Sequence, residues 1–291
     1  MDKLRKKYII QSLSALLHNI HLPNFLKGKI YQGPGKKLCL PGLNCYSCPG
    51  AAGSCPIGSL QAVIGSQKYR VSFYVLGLMM FFGVSLGRLI CGLLCPFGFF
   101  QDLLHKIPTR KFSTKKLKAL RIIKYIILSA ILVMVGFALK GSYQVVPPFF
   151  CKFVCPAGIF EAAIPLSITN ESIRMALGPL FRLKFAVLIV TIVASILFYR
   201  PFCKWLCPLG AFYSLFNKFS FYKLSLSEDK CIDCGKCARA CKMDVDIRKG
   251  CDQLECIRCG DCLRACPTKA IKSGFMIKNK DIKEGKGNES K

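Results

Sequence analysis

Nineteen of the 291 residues are cysteines, and most of them recur at fixed spacings. Near the C-terminus, two runs share the pattern Cys-x2-Cys-x2-Cys-x3-Cys. In such runs, the first three cysteines of one run and the last cysteine of the other hold one [4Fe–4S] cluster. The spacing therefore predicts two sets of ligands. These are the first tail set (Cys231, Cys234, Cys237 and Cys266) and the second tail set (Cys241, Cys256, Cys259 and Cys262).

The tail runs have one alternative interpretation and two irregularities. Zinc sites also use closely spaced cysteines, but usually as two pairs with a longer spacer rather than as three plus one. Cys241 is followed by Lys242, where these runs usually have proline, whereas Cys266 is followed by Pro267. We expect Lys242 to change the potential of its cluster without abolishing it. Cys251 falls outside both runs and is expected to be a bystander thiol.

A second motif, Cys-Pro-x-Gly, occurs four times upstream of the tail, at Cys55, Cys95, Cys155 and Cys207. Proline suits the first turn of a helix, where its missing N–H costs nothing, and the amides at a helix start favour a thiolate. The simple alternative is a helix-break turn in which cysteine is a small buried hydrophobe. We predict instead that two Cys-x3-Cys-Pro pairs supply four ligands for one cubane or one metal ion. They form the inner set (Cys91, Cys95, Cys203 and Cys207).

The remaining two copies belong to a group of six thiols. These are Cys39, Cys45, Cys48, Cys55, Cys151 and Cys155. We predict a further cluster held by the outer set (Cys48, Cys55, Cys151 and Cys155), with Cys45 competing for one position. An oxidising compartment would instead allow disulfides such as Cys39–Cys45. The sequence therefore predicts two [4Fe–4S] clusters in the tail and up to four in the whole chain.

Long apolar stretches separate the upstream motifs. Apolar residues make up 52% of the chain, and this composition predicts membrane-embedded helices. Four stretches are expected to cross the membrane, at residues 8–26, 71–90, 122–139 and 183–199. The first contains several polar residues and Pro23, so lying flat on the membrane surface is an open alternative.

The positively charged residues, which give the chain a net charge of +28, flank the apolar stretches. Segment 101–121 holds seven Lys and Arg residues, whereas 141–182 holds three. The positive-inside rule then places the first segment in the cytoplasm and the second outside. The inner set and the tail would face the cytoplasm, and the outer set would lie on the opposite side. No nucleic-acid-binding motif accompanies the charge, so a nucleic-acid partner is not expected.

Residues 70–272 resemble the NapH-like polytopic membrane ferredoxin-type proteins. The resemblance rests on Cys91-Gly-Leu-Leu-Cys95-Pro-Phe-Gly, Cys203-Lys-Trp-Leu-Cys207-Pro-Leu-Gly and the paired tail runs. This family is related to the C-terminal half of the nitrous-oxide reductase regulator and to methylamine-utilisation ferredoxins. The resemblance implies a component of the cytoplasmic membrane that transfers electrons together with other redox proteins. The cysteines from Cys39 to Cys55 and the pair Cys151/Cys155 are absent from the simplest members, so the partner does not carry over.

The expected fold class is an α-helical membrane protein with about four transmembrane helices and a C-terminal α+β two-cluster ferredoxin domain. The membrane domain would cover residues 1–223 and the ferredoxin domain residues 224–272. Residues 273–291 are expected to form a charged flexible tail. The expected location is the cytoplasmic membrane, in a multi-pass arrangement with the ferredoxin domain facing the cytoplasm.

We therefore expect electron transfer from a cytoplasmic donor to a quinone or an outer-side redox partner. The chain would be a component of an oxidoreductase system rather than a stand-alone enzyme. The alternative is a maturation or thiol-redox protein that relays reducing equivalents through the outer cysteine pairs. Because the hydrocarbon layer is about 30 Å thick, transfer between the faces needs a bridging quinone or partner, or cysteine sites that lie inward of the helix ends.

Overall fold

The structure is a computed structural model that describes residues 2–64, 73–139 and 148–275. Most of the predicted charged tail, from residue 276 onward, and the start of the predicted span 71–90 lie outside the described residues. The described chain is mostly helical and has a two-stranded antiparallel sheet near its C-terminus.

The helices upstream of residue 140 are α1 (Asp2–His18), α2 (Pro23–Lys27), α3 (Pro56–Ile64), α4 (Phe73–Leu86), α5 (Pro96–Leu104) and α6 (Ile122–Leu139). They are followed by α7 (Ile164–Thr169), α8 (Glu171–Met175), α9 (Pro179–Leu197), α10 (Pro201–Trp205) and α11 (Pro208–Leu215). Wider π-helical turns lie at Ile90–Leu94, Phe150–Val154 and Ile159–Ala163. Several helices begin at a proline because the first N–H of a helix has no intrahelical acceptor.

The tail contains two similar halves, which lie between the two strands of its sheet. Strand β1 (Tyr222–Leu226) pairs with β2 (Ile271–Phe275), with Tyr222 opposite Phe275. Between the strands lie α12 (Lys236–Ala240) and α13 (Asp261–Ala265), which start 25 positions apart. Residues with left-handed φ recur at the same offset. They are Asp233 and Arg258, Gly235 and Gly260, and Asp244 and Lys269. Each half therefore bends the chain in the same way around its cysteines.

The expectation of about four transmembrane helices is wrong. Among the residues that the structure describes, one helix, α9, is both long and apolar enough to cross a membrane. The predicted span 8–26 is divided between α1 and α2, because the chain turns at the polar residues before Pro23. The predicted span 71–90 ends at Leu86, since Gly87 has a φ of 55° and a Cβ there would lie 2.7 Å from Asn217 Oδ1. The chain instead combines short helices with sharp turns at the cysteines.

One apolar core joins the upstream helices to the tail. Phe97 of α5 and Phe202 of α10 lie in it together with Met243 and Ile257 of the tail. A smaller core lies within the tail, where Cys251 is buried against Leu224 and Ile247. The tail is therefore packed onto the upstream helices rather than tethered beside them.

Candidate iron–sulfur sites

Each of the two tail sets surrounds a small cavity. Cys231, Cys234, Cys237 and Cys266 line one of them. Cys241, Cys256, Cys259 and Cys262 line the other. The fourth cysteine of each run therefore lies with the first three of the other run, which is the exchange typical of paired clusters. The four thiols of each tail set fit a [4Fe–4S] cluster, which takes one thiolate per iron.

The two tail sets differ in their surroundings. In the first tail set Cys234 is exposed, and the neighbouring Ile232 has 65% of its surface exposed. In the second tail set Cys256 and Cys259 pack against the core shared with the upstream helices. The first tail set consequently faces outward, and the second faces the inner set.

The four cysteines of the inner set converge in the core. Cys91 lies in the π-helical turn Ile90–Leu94, Cys95 precedes α5, Cys203 lies in α10, and Cys207 precedes α11. All four are buried. Burial raises the pKa of Cys207, and the neighbouring thiols of Cys203, Cys91 and Cys95 raise it further. The two Cys-Pro pairs, which are more than a hundred positions apart in sequence, therefore meet in space.

The Cys-Pro-x-Gly motif has the same local structure at Cys95 and Cys207. Each cysteine is extended, with φ and ψ of −79° and 117° at Cys95 and of −74° and 111° at Cys207. Proline then starts the helix, and the glycine N–H donates to the cysteine Sγ at 3.4 Å in both copies. The cysteine thus caps the helix through sulfur. Because the first-turn N–H groups point toward this atom, the motif favours a thiolate ligand.

Polar groups surround the inner set from several elements. Gln101 Nε2 donates to Cys203 Sγ at 3.1 Å, and the Leu43 N–H donates to Cys95 Sγ at 3.4 Å. Arg200, which is fully buried, donates to the Cys91 carbonyl and forms an ion pair with Asp102 at 2.6 Å. These donors and the positive charge favour an anionic cluster in its reduced form.

The outer cysteines line a cavity of about 650 Å³. Its thiols are those of Cys39, Cys45, Cys55, Cys151 and Cys155. Cys48, which the sequence favoured over Cys45, does not line it, and its Sγ donates instead to Asn19 Oδ1 at 3.4 Å. The structure therefore brings Cys45, rather than Cys48, together with the other three predicted outer ligands.

Polar side chains that the sequence did not assign to a site also surround the outer cavity. Glu161 accepts a hydrogen bond from the Cys45 N–H at 2.6 Å, and burial raises its pKa to about 8. Lys184 donates to the Cys151 carbonyl at 3.2 Å, and Gln61 donates to Cys151 Sγ at 3.5 Å. In the sequence, only Lys184 indicated this site, since a charged residue within an apolar stretch commonly marks a functional site.

A buried ion network joins the tail to the upstream helices. Glu255, next to Cys256, lies 2.8 Å from Arg88 Nη1 and 2.6 Å from Lys124 Nζ. Burial alone would raise the pKa of Glu255, but Arg88 and Lys124 outweigh it and bring that pKa to about 2. Arg88 also donates to the Cys203 carbonyl at 3.4 Å. One side chain therefore contacts both the second tail set's loop and the inner set.

Close backbone contact accompanies this network. A Cβ on Gly92, between Cys91 and Cys95, would lie 2.4 Å from the carbonyl oxygen of Ile257. Arg258 donates to the Leu86 carbonyl at 3.2 Å and to the Asn217 carbonyl at 2.6 Å. The loop that carries the second tail set is thus fixed directly against the inner set.

The arrangement of the cysteines in space is relevant to two alternative interpretations, a zinc site and a disulfide. In the part of the chain that the structure describes, no group of three or more His, Cys, Asp or Glu residues is spaced to hold a single metal ion. A cubane differs from a single-ion site because each thiolate binds a separate iron. No two of the nineteen cysteines are joined by a disulfide in this structure, Cys39 and Cys45 included.

Two protein-family descriptions match the chain. A 4Fe-4S binding domain matches residues 67–115, 126–164 and 184–226, and a 4Fe-4S dicluster domain matches residues 217–278. The first match contains the inner set, and the second contains both tail sets. The prediction of [4Fe–4S] clusters is thereby confirmed.

Several curated proteins are similar to the chain over part of their length. Uncharacterized protein MJ0749 of Methanocaldococcus jannaschii is 30% identical, over 58% of this chain and 57% of that protein. The putative electron transport protein YccM of Escherichia coli is 25% identical, over 62% and 46%. The methylamine utilization ferredoxin-type protein MauN of Paracoccus denitrificans is 26% identical, over 53% and 48%. The chain thus spans about half the length of these relatives, and no solved structure matches it.

The resemblance to methylamine-utilisation ferredoxins and to the nitrous-oxide reductase regulator is confirmed at this level. The regulatory protein NosR of Stutzerimonas stutzeri matches over 20% of its length. The narrower NapH-like assignment stays a prediction. The chain is an iron–sulfur protein homologous to ferredoxin-type electron-transport proteins.

Proposed function

We propose that this protein transfers electrons between a soluble donor and an acceptor in or beyond a membrane, along four adjacent cysteine sets. The observation that carries the proposal is the contact between the second tail set and the inner set. They share one core, and Arg88 contacts both Glu255 and the Cys203 carbonyl. When bound, the clusters supply one-electron chemistry that involves no proton. The cysteine thiolates bind the clusters and fix the order in which the clusters follow one another. The packed side chains around them exclude water.

The order of the sets follows from their exposure and contacts. The first tail set faces outward, so its exposed Cys234 marks where a partner redox protein would exchange an electron. The second tail set lies between the first tail set and the inner set. The donor, a one-electron reductant, would be oxidised at the tail. At the other end an outer redox protein would accept each electron, or a quinone would accept two electrons in succession and take up two protons from water. We place residues 224–272 in a ferredoxin domain on the cytoplasmic side, in line with the NapH-like resemblance.

A membrane location is supported by helices that expose their apolar residues, whereas the helices of a soluble protein bury them. On α1, Gln11 and His18 are buried, whereas Ile9 and Leu17 have 56% and 60% of their surfaces exposed. On α9, 17% of the most apolar window is buried, so this helix is not the core helix of a soluble domain. Apolar faces that point outward from buried polar faces suit contact with lipid.

The outer cluster is proposed to be held by Cys45, Cys55, Cys151 and Cys155. We expect Cys45→Ser to lose about four irons per chain, the content of one cubane. Cys48→Ser is the matched control, and it should keep the iron content of the unmodified protein. Iron analysis of anaerobically purified protein compares them. Loss of iron from Cys48→Ser, with retention in Cys45→Ser, would restore the assignment made from the sequence.

The function is tested by reducing the purified protein with a low-potential viologen and following its EPR signals. The double variant Cys91→Ser/Cys203→Ser should lose the inner-set signal, keep both tail signals, and no longer pass electrons to the outer set at the rate of the unmodified protein. Cys251→Ser, whose thiol lies in the tail's own core, is the control. Rapid reduction of the outer set in the double variant would contradict the proposed route.

A further inference from the structure

The inner set and the outer cavity adjoin each other across a single segment of chain, Pro41–Leu43. Leu43 lines the outer cavity, and its N–H donates to Cys95 Sγ of the inner set at 3.4 Å. A Cβ on Gly42 would lie 3.2 Å from the Cys95 Cα. This segment therefore touches the inner set on one side and the outer cavity on the other.

Tyr213 of α11 supports this segment from within the core. Its side chain is fully buried, and its hydroxyl donates to the Pro41 carbonyl at 3.1 Å. Burial raises the pKa of Tyr213, and the thiols of Cys91 and Cys55 are the next largest causes. Cys91 belongs to the inner set, and Cys55 lines the outer cavity. The phenol group consequently lies within electrostatic range of thiols from both sites.

We propose that Tyr213 and the segment Pro41–Leu43 form the partition that positions the inner and outer sets for direct electron exchange. This inference rests on the proposed function and adds to it how the two upstream sites are connected. Of the alternatives raised by the thickness of the membrane, the arrangement supports cysteine sites that lie inward of the helix ends. No quinone or partner protein is then needed between the two sets.

Tyr213 is a positioning residue with two separable contributions. Its ring fills the space between the sets with packed atoms and keeps water out. Its hydroxyl holds the Pro41 carbonyl, which fixes the segment that presents the Leu43 N–H to Cys95 Sγ. Hydrogen bonds to cluster sulfurs help to set the reduction potential. The hydroxyl is therefore expected to act on the potential of the inner site, and the ring on the coupling between the sites.

The exchange itself involves no change in covalent bonds. One electron leaves the reduced inner site and enters the oxidised outer site, and no proton accompanies it. The electron is supplied by the one-electron donor of the proposed function and is removed by the acceptor. Tyr213 is neither oxidised nor reduced in this scheme.

The test compares Tyr213→Phe, Tyr213→Leu and Phe212→Leu. Phe212, the preceding residue of α11, is also buried in the core and is a matched control for loss of a ring. Three quantities are measured: iron content, the potential of the inner site from an EPR-monitored titration, and the magnetic coupling between the inner and outer signals. Freeze-quenched samples after viologen reduction give the rate at which electrons reach the outer set.

Tyr213→Phe should keep the iron, the coupling and the rate, but should lower the potential of the inner site. Tyr213→Leu should weaken the coupling and slow electron arrival several-fold, whereas Phe212→Leu should change neither. Equal coupling and rate in Tyr213→Leu and Phe212→Leu would overturn the proposal. If Tyr213→Leu loses iron, its coupling and rate no longer test the proposal. In that case, an unchanged potential of the inner site in Tyr213→Phe would overturn the proposal. Failure of the proposed function is distinguishable, because the unmodified protein would then leave the outer set oxidised.

Discussion

Replacing Gly92 with alanine is expected to separate the second tail set from the inner set. The added Cβ would lie 2.4 Å from the Ile257 carbonyl oxygen, which is backbone and cannot rotate away. Gly92 cannot retreat easily, because its own carbonyl accepts hydrogen bonds from Gln11 at 2.9 Å and from Arg200 at 3.3 Å. Overpacking of this kind typically costs about 1–3 kcal/mol. Here the strain falls on the contact between the two sets.

Hydrogen–deuterium exchange and EPR measure this effect. In Gly92→Ala, we expect faster exchange at residues 254–260 and a loss of magnetic coupling between the second tail set and the inner set. Gly77→Ala in α4 is the matched control, since a Cβ there meets no atom within 4 Å. The control should leave both measurements unchanged. Unchanged exchange and coupling in Gly92→Ala would show that the tail is not docked as described.

The second large effect is expected for Glu255→Gln. Removing the charge leaves Arg88 and Lys124, both with no exposed side-chain surface, without their anionic partner. Breaking a buried ion network by removing one member costs roughly 3–5 kcal/mol. The stabilisation is present above the ordinary pKa of a glutamate and is lost as the pH falls toward the folded-state pKa of about 2. Glu255 is therefore ionised across the whole neutral range.

Limited proteolysis compares Glu255→Gln with a control on a surface pair. In the variant, the tail should become sensitive to protease at concentrations that leave the unmodified protein intact. Glu171→Gln removes the acid of an exposed pair with Arg174 and should have no measurable effect, because such pairs contribute little. Equal protease resistance in the two variants would mean that the Glu255 network does not hold the tail in place.

The sequence predicts best those ligand sets whose cysteines are regularly spaced. In the tail, the period of the cysteines and the 25-residue repeat leave little choice about which thiols share a cavity. For the inner set, two identical Cys-x3-Cys-Pro patterns suggested convergence, and the structure places their thiols together. The motif itself is explained by geometry, since the glycine N–H caps the cysteine sulfur.

Other features depend on contacts that spacing does not encode. Cys45 and Cys48 are three positions apart, and hydrogen bonds with Glu161 and Asn19 decide which of them faces the cavity. The expectation of about four spans failed because hydropathy does not show that the chain turns at Gly87 and at the polar residues before Pro23. Glu255, Asp102 and Arg200 gave no signal in the sequence, because each becomes important only when distant elements bury it.

The most direct test of the central claim is the content of iron and acid-labile sulfide in the complete, anaerobically purified protein. Thiols from separate upstream helices, and not the tail alone, are proposed to hold iron–sulfur clusters. Four cubanes predict about sixteen irons and about sixteen sulfides per chain. A value of about eight of each would leave the two tail sets alone occupied and would contradict the account.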